Sequence, residues 1–140
     1  MPSAESRHLT DLLMRLTRIL HEQMKLRVTK RPLSLMQLHT LIVIERSRPS
    51  MHDLAHRLTI TPPSTTTLVN GLVQSSLVRR LKDPRDKRTL HLELTPQGKK
   101  LLRDRLRMLA EGMQEATGAL RADELRTFIA LMERMVSSYT

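Results

Sequence analysis

Residues 53–94 read DLAHRLTITPPSTTTLVNGLVQSSLVRRLKDPRDKRTLHLEL, and the order of elements in this stretch decides the fold. Leu54, Ala55 and Leu58 share one face of a short helix that opens at the cap signature Ser50-Met51-His52-Asp53. Thr59-Ile60 is a tight break. Thr61 then caps a second helix with Pro62 at its first position, where a missing N–H costs nothing, and Leu68, Val69 and Leu72 form its buried stripe. The periodicity next changes from helical to alternating. Leu77 to Lys82 and Leu90 to Leu94 read as strands, and in the second Leu90, Leu92 and Leu94 alternate with His91 and Glu93, as in a half-buried strand. Between them Asp83-Pro84-Arg85-Asp86-Lys87-Arg88 forms a charged hairpin tip, with Asp83-Pro84 suited to the first two positions of a type I turn. Two short helices joined by a tight turn and followed by a basic hairpin describe a winged helix-turn-helix.

Upstream, Leu9, Leu13, Leu16, Leu20 and Met24 recur at helical spacing, with Leu12 and Ile19 widening the stripe. They predict an amphipathic helix of about five turns, ended by Lys30-Arg31-Pro32. Ser34-Leu35-Met36-Gln37 is a capping-box pattern that opens a helix through Leu38, Leu41, Ile42 and Ile44, closed by Pro49. Downstream, Thr95-Pro96 caps a long helix whose Leu102, Leu106, Leu109, Met113, Ala116 and Leu120 follow a heptad seam to Gly118 and Arg121. A last helix holds Leu125, Phe128, Ile129, Met132, Met135 and Val136. The fold class is therefore mainly α, a winged helix-turn-helix with a two-stranded basic wing and helical layers at both ends. The expected organisation is one domain over 1–140: a first helix in 1–32, the winged module in 33–97 and C-terminal helices in 98–140.

The 140 residues carry 24 Lys+Arg against 14 Asp+Glu, a net charge of +10, which favours a polyanionic partner. One Phe, one Tyr and no Trp argue against modules that stack single-stranded bases on aromatic platforms. With no Cys, disulfides, thiolate zinc sites and a thiol switch are excluded. No segment approaches the roughly 20 apolar residues of a membrane helix, and Met1 to Thr10 has no apolar core of signal-peptide type, so a cytoplasmic protein without a membrane partner is expected.

The outward side of the second short helix presents Pro62, Pro63, Ser64, Thr66, Thr67 and Asn70, with Gln74 further along. In a helix-turn-helix this surface meets base edges: hydroxyls bond phosphate or bases, and Asn pairs bidentately with adenine. An ordinary solvated Ser/Thr face explains the same run equally well. The wing is the sharper signal, with Arg79, Arg80, Lys82, Arg85, Lys87 and Arg88 against Asp83 and Asp86. Its tip suits the minor groove, while Arg79, Arg80 and Lys82, nearer the strand, suit phosphates. The alternative, charges that blunt a sheet edge against pairing, carries the smaller weight, and less still after a helix-turn-helix pattern.

Taken together, DLAHRL, TPPSTTTLVNGLVQSSLVRR, DPRDKR and LELTPQG, in this order between Asp53 and Leu101, resemble the MarR-type multiple-antibiotic-resistance regulators. The wing motif Asp-x-Arg-Asp-x-Arg matches at Asp83, Arg85, Asp86 and Arg88. The resemblance implies a homodimeric regulator, with repression the expected mode, that grips a near-palindromic operator in double-stranded DNA. It places Leu9, Leu13, Leu109, Met113, Leu120, Leu125, Phe128 and Met132 in a dimer interface. It sends Arg85 or Arg88 into the minor groove, held by an ion pair to Asp83 or Asp86, and it puts a small-molecule effector between the dimerisation helices and the winged module. The chain departs from the family where Thr67 and Gly71 stand in place of frequent Arg, so that Thr61 to Leu77 is uncharged. Ser76 stands where Gly is usual, a position that favours positive φ.

Met24, Met36 and Met108 with His39, and Met113 and His21 beside them, could line such an effector cavity, since Met surfaces repack readily; core filling is the favoured reading, with His39 a buried histidine that has an internal partner. His52 and His56 lie one helical turn apart, a spacing that can hold zinc, but no third ligand is near and a structural or phosphate-contact role is expected. No metal or other cofactor is expected. No nucleophile elbow or phosphate loop appears, so an enzyme has no support. The rival reading is a winged-helix protein-interaction module whose basic hairpin docks an acidic partner, kept open by the uncharged second helix.

Overall fold

The computed structural model describes residues 1–27 and 32–139. The elements run α1 (Ala4–Arg27), α2 (Leu35–Ser47), α3 (Met51–Leu58), α4 (Pro62–Gln74), β1 (Val78–Lys82), β2 (Leu90–Leu94), α5 (Pro96–Ala116) and α6 (Ala122–Ser137). The expected stop of α1 at Lys30-Arg31 lies outside the described residues. The chain divides into two compact units, Val28–Leu106 and Met1–Arg27 with Arg107–Thr140. Among the described residues no helix is long and apolar enough to cross a membrane.

Local chemistry sets the boundaries of the winged unit. Ser34 Oγ accepts from the Gln37 N–H at 3.1 Å while Gln37 Oε1 accepts from the Ser34 N–H at 2.8 Å, a complete capping box at the start of α2. Ser50 Oγ accepts from the Asp53 N–H at 3.1 Å and Thr61 Oγ1 from the Ser64 N–H at 3.3 Å, which start α3 and α4 where the sequence places them. Thr59, with φ 55°, closes α3 and turns the chain into α4. Leu41, Ile44, Leu54, Val69, Leu72, Leu77, Leu92 and Leu94 are fully buried and form the core that α2, α3, α4 and the sheet share. Each such side chain contributes about 1.5–3 kcal/mol when removed from water. Thr40 and Thr65 are buried too, and each hydroxyl donates to a carbonyl one turn back, at 2.7 and 2.9 Å, so neither is left unsatisfied.

The wing is one antiparallel pair in which Arg79 faces Glu93 and Leu81 faces His91. The expected alternation fails at its outer end and at Glu93: Leu90 is exposed, whereas Leu92, Glu93 and Leu94 are all buried. Strand β2 does not end in solvent on the side away from β1. The Leu92 N–H donates to Pro49 O at 2.9 Å, and Ser50 bridges His91, so the α2–α3 connection serves as a short third edge.

The start of α5 is fastened to the end of α4. Ser76 has φ 60°, as its family position implied, and its carbonyl accepts from Thr95 Oγ1 at 2.6 Å. Thr95 Oγ1 also accepts from the Gly98 N–H at 3.0 Å, capping α5. The Thr95 N–H donates to Leu77 O at 3.0 Å. Gly98 thereby sits against the backbone, and a Cβ there would lie 2.1 Å from Leu77 O.

In the other unit, Leu20, Gln23 and Met24 of α1 meet Met108, Leu109 and Gly112 of α5 around a space of about 10 Å³. Helix α5 stops at Ala116, so Leu120 lies in the turn beyond it and not on the expected heptad seam. The reason is local: the Thr117–Gly118 turn donates Gly118 N–H to Glu115 O at 3.2 Å and Leu120 N–H to Thr117 O at 2.9 Å. Arg121 opens α6, its N–H held by the Glu124 carboxylate at 2.8 Å. No residue of α6 is buried, although Phe128, Ile129, Met132, Met135 and Val136 recur along it.

Two glycine substitutions separate these constraints. Gly98→Ala forces backbone from backbone and should cost about 1–3 kcal/mol in denaturant unfolding. Gly71→Ala meets nothing within 4 Å in the middle of α4 and should gain about 0.5–1 kcal/mol. Equal effects of the two would contradict the close approach at Leu77.

Candidate nucleic-acid interface

Helix α4 buries Thr65, Val69 and Leu72. That leaves Pro62, Pro63, Ser64, Thr66, Thr67, Asn70 and Gln74 exposed, as the sequence suggested. The Thr66 and Thr67 hydroxyls donate back to Pro62 O at 3.1 Å and Pro63 O at 3.2 Å. With those protons committed, each hydroxyl oxygen is left to act as an acceptor. The helix ends at Ser75 with no basic residue in its last turn.

The wing tip is ordered by its acids, though not in the manner expected. Asp83 Oδ1 accepts from the Arg85 N–H at 2.7 Å, and Asp86 Oδ1 accepts from the Arg88 N–H at 2.9 Å. Asp86 Oδ2 also accepts from Thr89 Oγ1 at 3.2 Å. Main-chain bonds from Asp83 N–H to Thr89 O, 2.9 Å, and from Thr89 N–H to Asp86 O, 3.0 Å, close the loop. Both carboxylates thus hold backbone, because a side chain two residues away cannot fold back as easily as the intervening amide can point inward. The expected ion pair from Arg85 or Arg88 to Asp83 or Asp86 is not formed among the described residues. Arg85, Lys87 and Arg88 are exposed, and so is Lys82 on the strand.

Arg79 and Arg80 are engaged within the protein. Arg79 binds Glu93 through Nε at 2.8 Å and Nη2 at 2.7 Å, and Arg48 Nη2 reaches the other carboxylate oxygen at 3.1 Å. The Arg79 hydrogen bond, with the charges of Arg79 and Arg48, holds the Glu93 carboxyl below its usual range against the opposing effect of burial. Arg79, expected from the sequence to suit phosphates, is therefore not a free cation in this chain but one paired with Glu93. From the next position Arg80 Nη2 donates to Asn70 Oδ1, which joins β1 to α4.

His91 completes the base of the wing. Its Nε2 lies 2.7 Å from Asp83 Oδ2 and its Nδ1 lies 3.1 Å from Arg48 O. Both neighbours are acceptors, so both contacts are hydrogen bonds only when the ring is doubly protonated. The Asp83 hydrogen bond raises the His91 pKa above its ordinary value, helped by the Arg48 carbonyl and by the charges of Asp83 and Asp53. Asp83 is lowered, chiefly by the Arg85 N–H and then by His91. Arg48, His91 and Glu93 were not singled out from the sequence. The only signal was the cross-strand register, which sets Glu93 opposite Arg79.

The remaining candidates separate. His52 and His56 are exposed on α3, and the described residues contain no group of three or more His, Asp or Glu able to hold a metal ion. Met24 and Met108 line the same small space. Met36 and His39 are exposed on α2 in the other unit, which overturns the buried, partnered His39. His39 lies off the side of α2 that buries Leu38, Leu41 and Ile44. Leu9, Leu13, Met113, Leu120, Phe128 and Met132 are exposed, while Leu109 and Leu125 are half-buried.

Residues 33–90 match the model of the MarR family. A homoprotocatechuate degradative operon repressor of Escherichia coli is 29% identical over 99 residues, which cover 69% of this chain and 67% of that protein. Wild-type MarR of E. coli in its apo form superimposes with a TM-score of 0.74 at 23% identity, over 96% of this chain and 98% of that one. Streptococcus pneumoniae FabT in complex with DNA gives 0.76 at 18% identity, over 96% and 99%. Those two likenesses establish the winged-helix fold.

The His91 contacts generate a pH prediction. A raised pKa means the stabilisation is complete below the ordinary value of 6.5 and fades as pH rises through the raised one. Asp83, being lowered, keeps its charge until the pH falls below its ordinary 3.8. Thermal melting between those limits and mildly alkaline pH should therefore show the wild type losing stability relative to His91→Gln as pH rises. A constant difference between the two would contradict a doubly donating His91.

Proposed function

We propose that the chain is a MarR-type protein through its winged module, a sequence-specific transcriptional regulator, acting as a repressor, that binds double-stranded DNA as a homodimer. The observation that carries this reading is the pairing of two surfaces in one unit: the exposed, uncharged face of α4 and a wing tip whose Arg85, Lys87 and Arg88 have no acidic partner among the described residues.

Each surface has its task. A net charge of +10 draws the chain to a polyanion, and releasing condensed counterions drives the association. Helix α4 enters the major groove and reads base edges with Ser64, Thr66, Thr67 and Asn70. Arg85 or Arg88 enters the adjacent minor groove, where a narrow A·T-rich segment concentrates negative potential. Lys82 and Lys87 bind phosphates. The helices outside the winged module supply the dimer contact within what we take as one domain. The support is the apolar run of α6, where Phe128, Ile129, Met132 and Val136 are all at least 38% exposed in the single chain. A second copy that covers them gives a two-fold dimer, and its two wings match a near-palindromic operator. A small-molecule effector that releases the DNA is part of the reading. The space at Met24 and Met108, about 10 Å³, admits no more than a water as it stands, so an effector there has to widen it.

A second reading keeps one specific observation in its favour: the absence of charge on α4 suits a wing that docks an acidic protein as well as one that grips DNA. The double variant Arg85→Ala with Arg88→Ala separates the two. On a duplex selected from random sequence, affinity should fall about tenfold or more and the dependence on salt should flatten by about two ions, with no loss of melting temperature. Unchanged DNA affinity would take the wing out of the groove and favour the protein partner.

A further inference from the structure

Helix α4 carries no charge from Thr61 to Leu77, yet a guanidinium reaches it from the neighbouring strand: Arg80 Nη2 donates to Asn70 Oδ1. Arg80 is half-buried and Asn70 is exposed, so the pair stands at the surface with Asn70 on its outer side. Guanidinium has donors only, and whichever way an asparagine amide is drawn, it is the oxygen that must face Arg80. What remains for an approaching molecule is the Asn70 amino group and the other N–H groups of Arg80, all donors, beside one remaining lone pair on the Asn70 oxygen.

This changes what Asn70 can read. Bidentate recognition of adenine needs the amide oxygen to accept from N6 while the amino group donates to N7. Here one lone pair of the oxygen is taken by Arg80, and the guanidinium beside it competes with an adenine amino group for the approach to the other. The guanine edge presents two acceptors, N7 and O6, and no donor in the major groove. On the reading of this chain as a DNA-binding regulator, we propose that Asn70 and Arg80 form a single donor-rich, cationic unit that favours guanine over adenine at the base pair facing the middle of α4. Arg80 acts through Asn70 as a positioning residue and adds the charge that α4 lacks. The identity of the recognised base thereby depends on a strand residue outside the recognition helix.

The test is a base-by-base substitution of a duplex selected from random sequence, titrated at one fixed salt concentration with wild type, Arg80→Ala, Asn70→Ala and Asn70→Asp. The pair read by Asn70 is the one whose preference disappears in Asn70→Ala. In the wild type that pair should be G·C, and its change to A·T should weaken binding about tenfold. Arg80→Ala frees the amide oxygen and should shift the preference at that pair toward A·T, with the other pairs unaffected. Asn70→Asp keeps the contact with Arg80 but has no amino group, and it should lose the guanine preference while the fold is retained. A wild-type preference for A·T at that pair would overturn the inference, as would an Arg80→Ala variant that weakens all sequences equally. Both outcomes leave the parent reading standing. A wild-type chain that binds every duplex alike overturns that reading and this one together.

Discussion

The wing depends on the attachment of β2 to the connection between α2 and α3. Arg48 ends α2 with φ 44°, a left-handed conformation that costs a side-chain-bearing residue about 1–2 kcal/mol. From that position its carbonyl faces His91 at 3.1 Å and its guanidinium faces Glu93 at 3.1 Å. The next carbonyl, of Pro49, accepts from the Leu92 N–H at 2.9 Å. Three successive residues of β2 are thus held by two residues of one connection. A two-stranded ribbon is marginal in water by itself, and this edge, with Leu92 and Leu94 in the core, supplies what the ribbon lacks.

The same attachment arranges charge. Glu93 pairs with two arginines at the base of the wing, and Asp83 and Asp86 turn toward backbone and His91 in the tip loop. Glu93 therefore organises the base of the wing and Asp83 and Asp86 its tip loop, and Arg85, Lys87 and Arg88 at the tip are left without an acidic partner among the described residues. Helix α4, with no charge of its own, borrows one from Arg80. On the proposed reading, attraction and base recognition fall to different residues: cations at the wing tip supply the first, and the hydroxyls of α4 with the Asn70–Arg80 pair supply the second.

Much of this was legible in the chain because the decisive signals are local. Ser34, Ser50, Thr61 and Thr95 cap the helices the pattern assigned to them, since a cap needs only its own next few residues. The outward residues of α4 follow from helical period alone. The parts that were misread depend on a contact between distant residues in one case and on competing local turns in the others. Glu93 belongs to an alternating pattern that places it in solvent, and its burial is made tolerable by Arg79 across the strand pair together with Arg48, 45 positions earlier by sequence number. The acids of the wing were assigned to arginine side chains, but a tight loop offers its own amides first. The heptad reading ran past Ala116 because Leu120 keeps the period, while the turn at Thr117 and Gly118 ends the helix beneath it.

The central claim is that the wing is built into the free protein, before any partner arrives, by its attachment at Arg48 and Pro49. Amide hydrogen exchange in the free chain tests it most directly, read at Leu92 and Thr89. The account predicts that the Leu92 N–H exchanges as slowly as core amides of α2 and that Thr89, within the closed tip, is also protected. Exchange of both at the rate of an open loop would mean that the wing forms only on binding, and the attachment described here would not be what holds it.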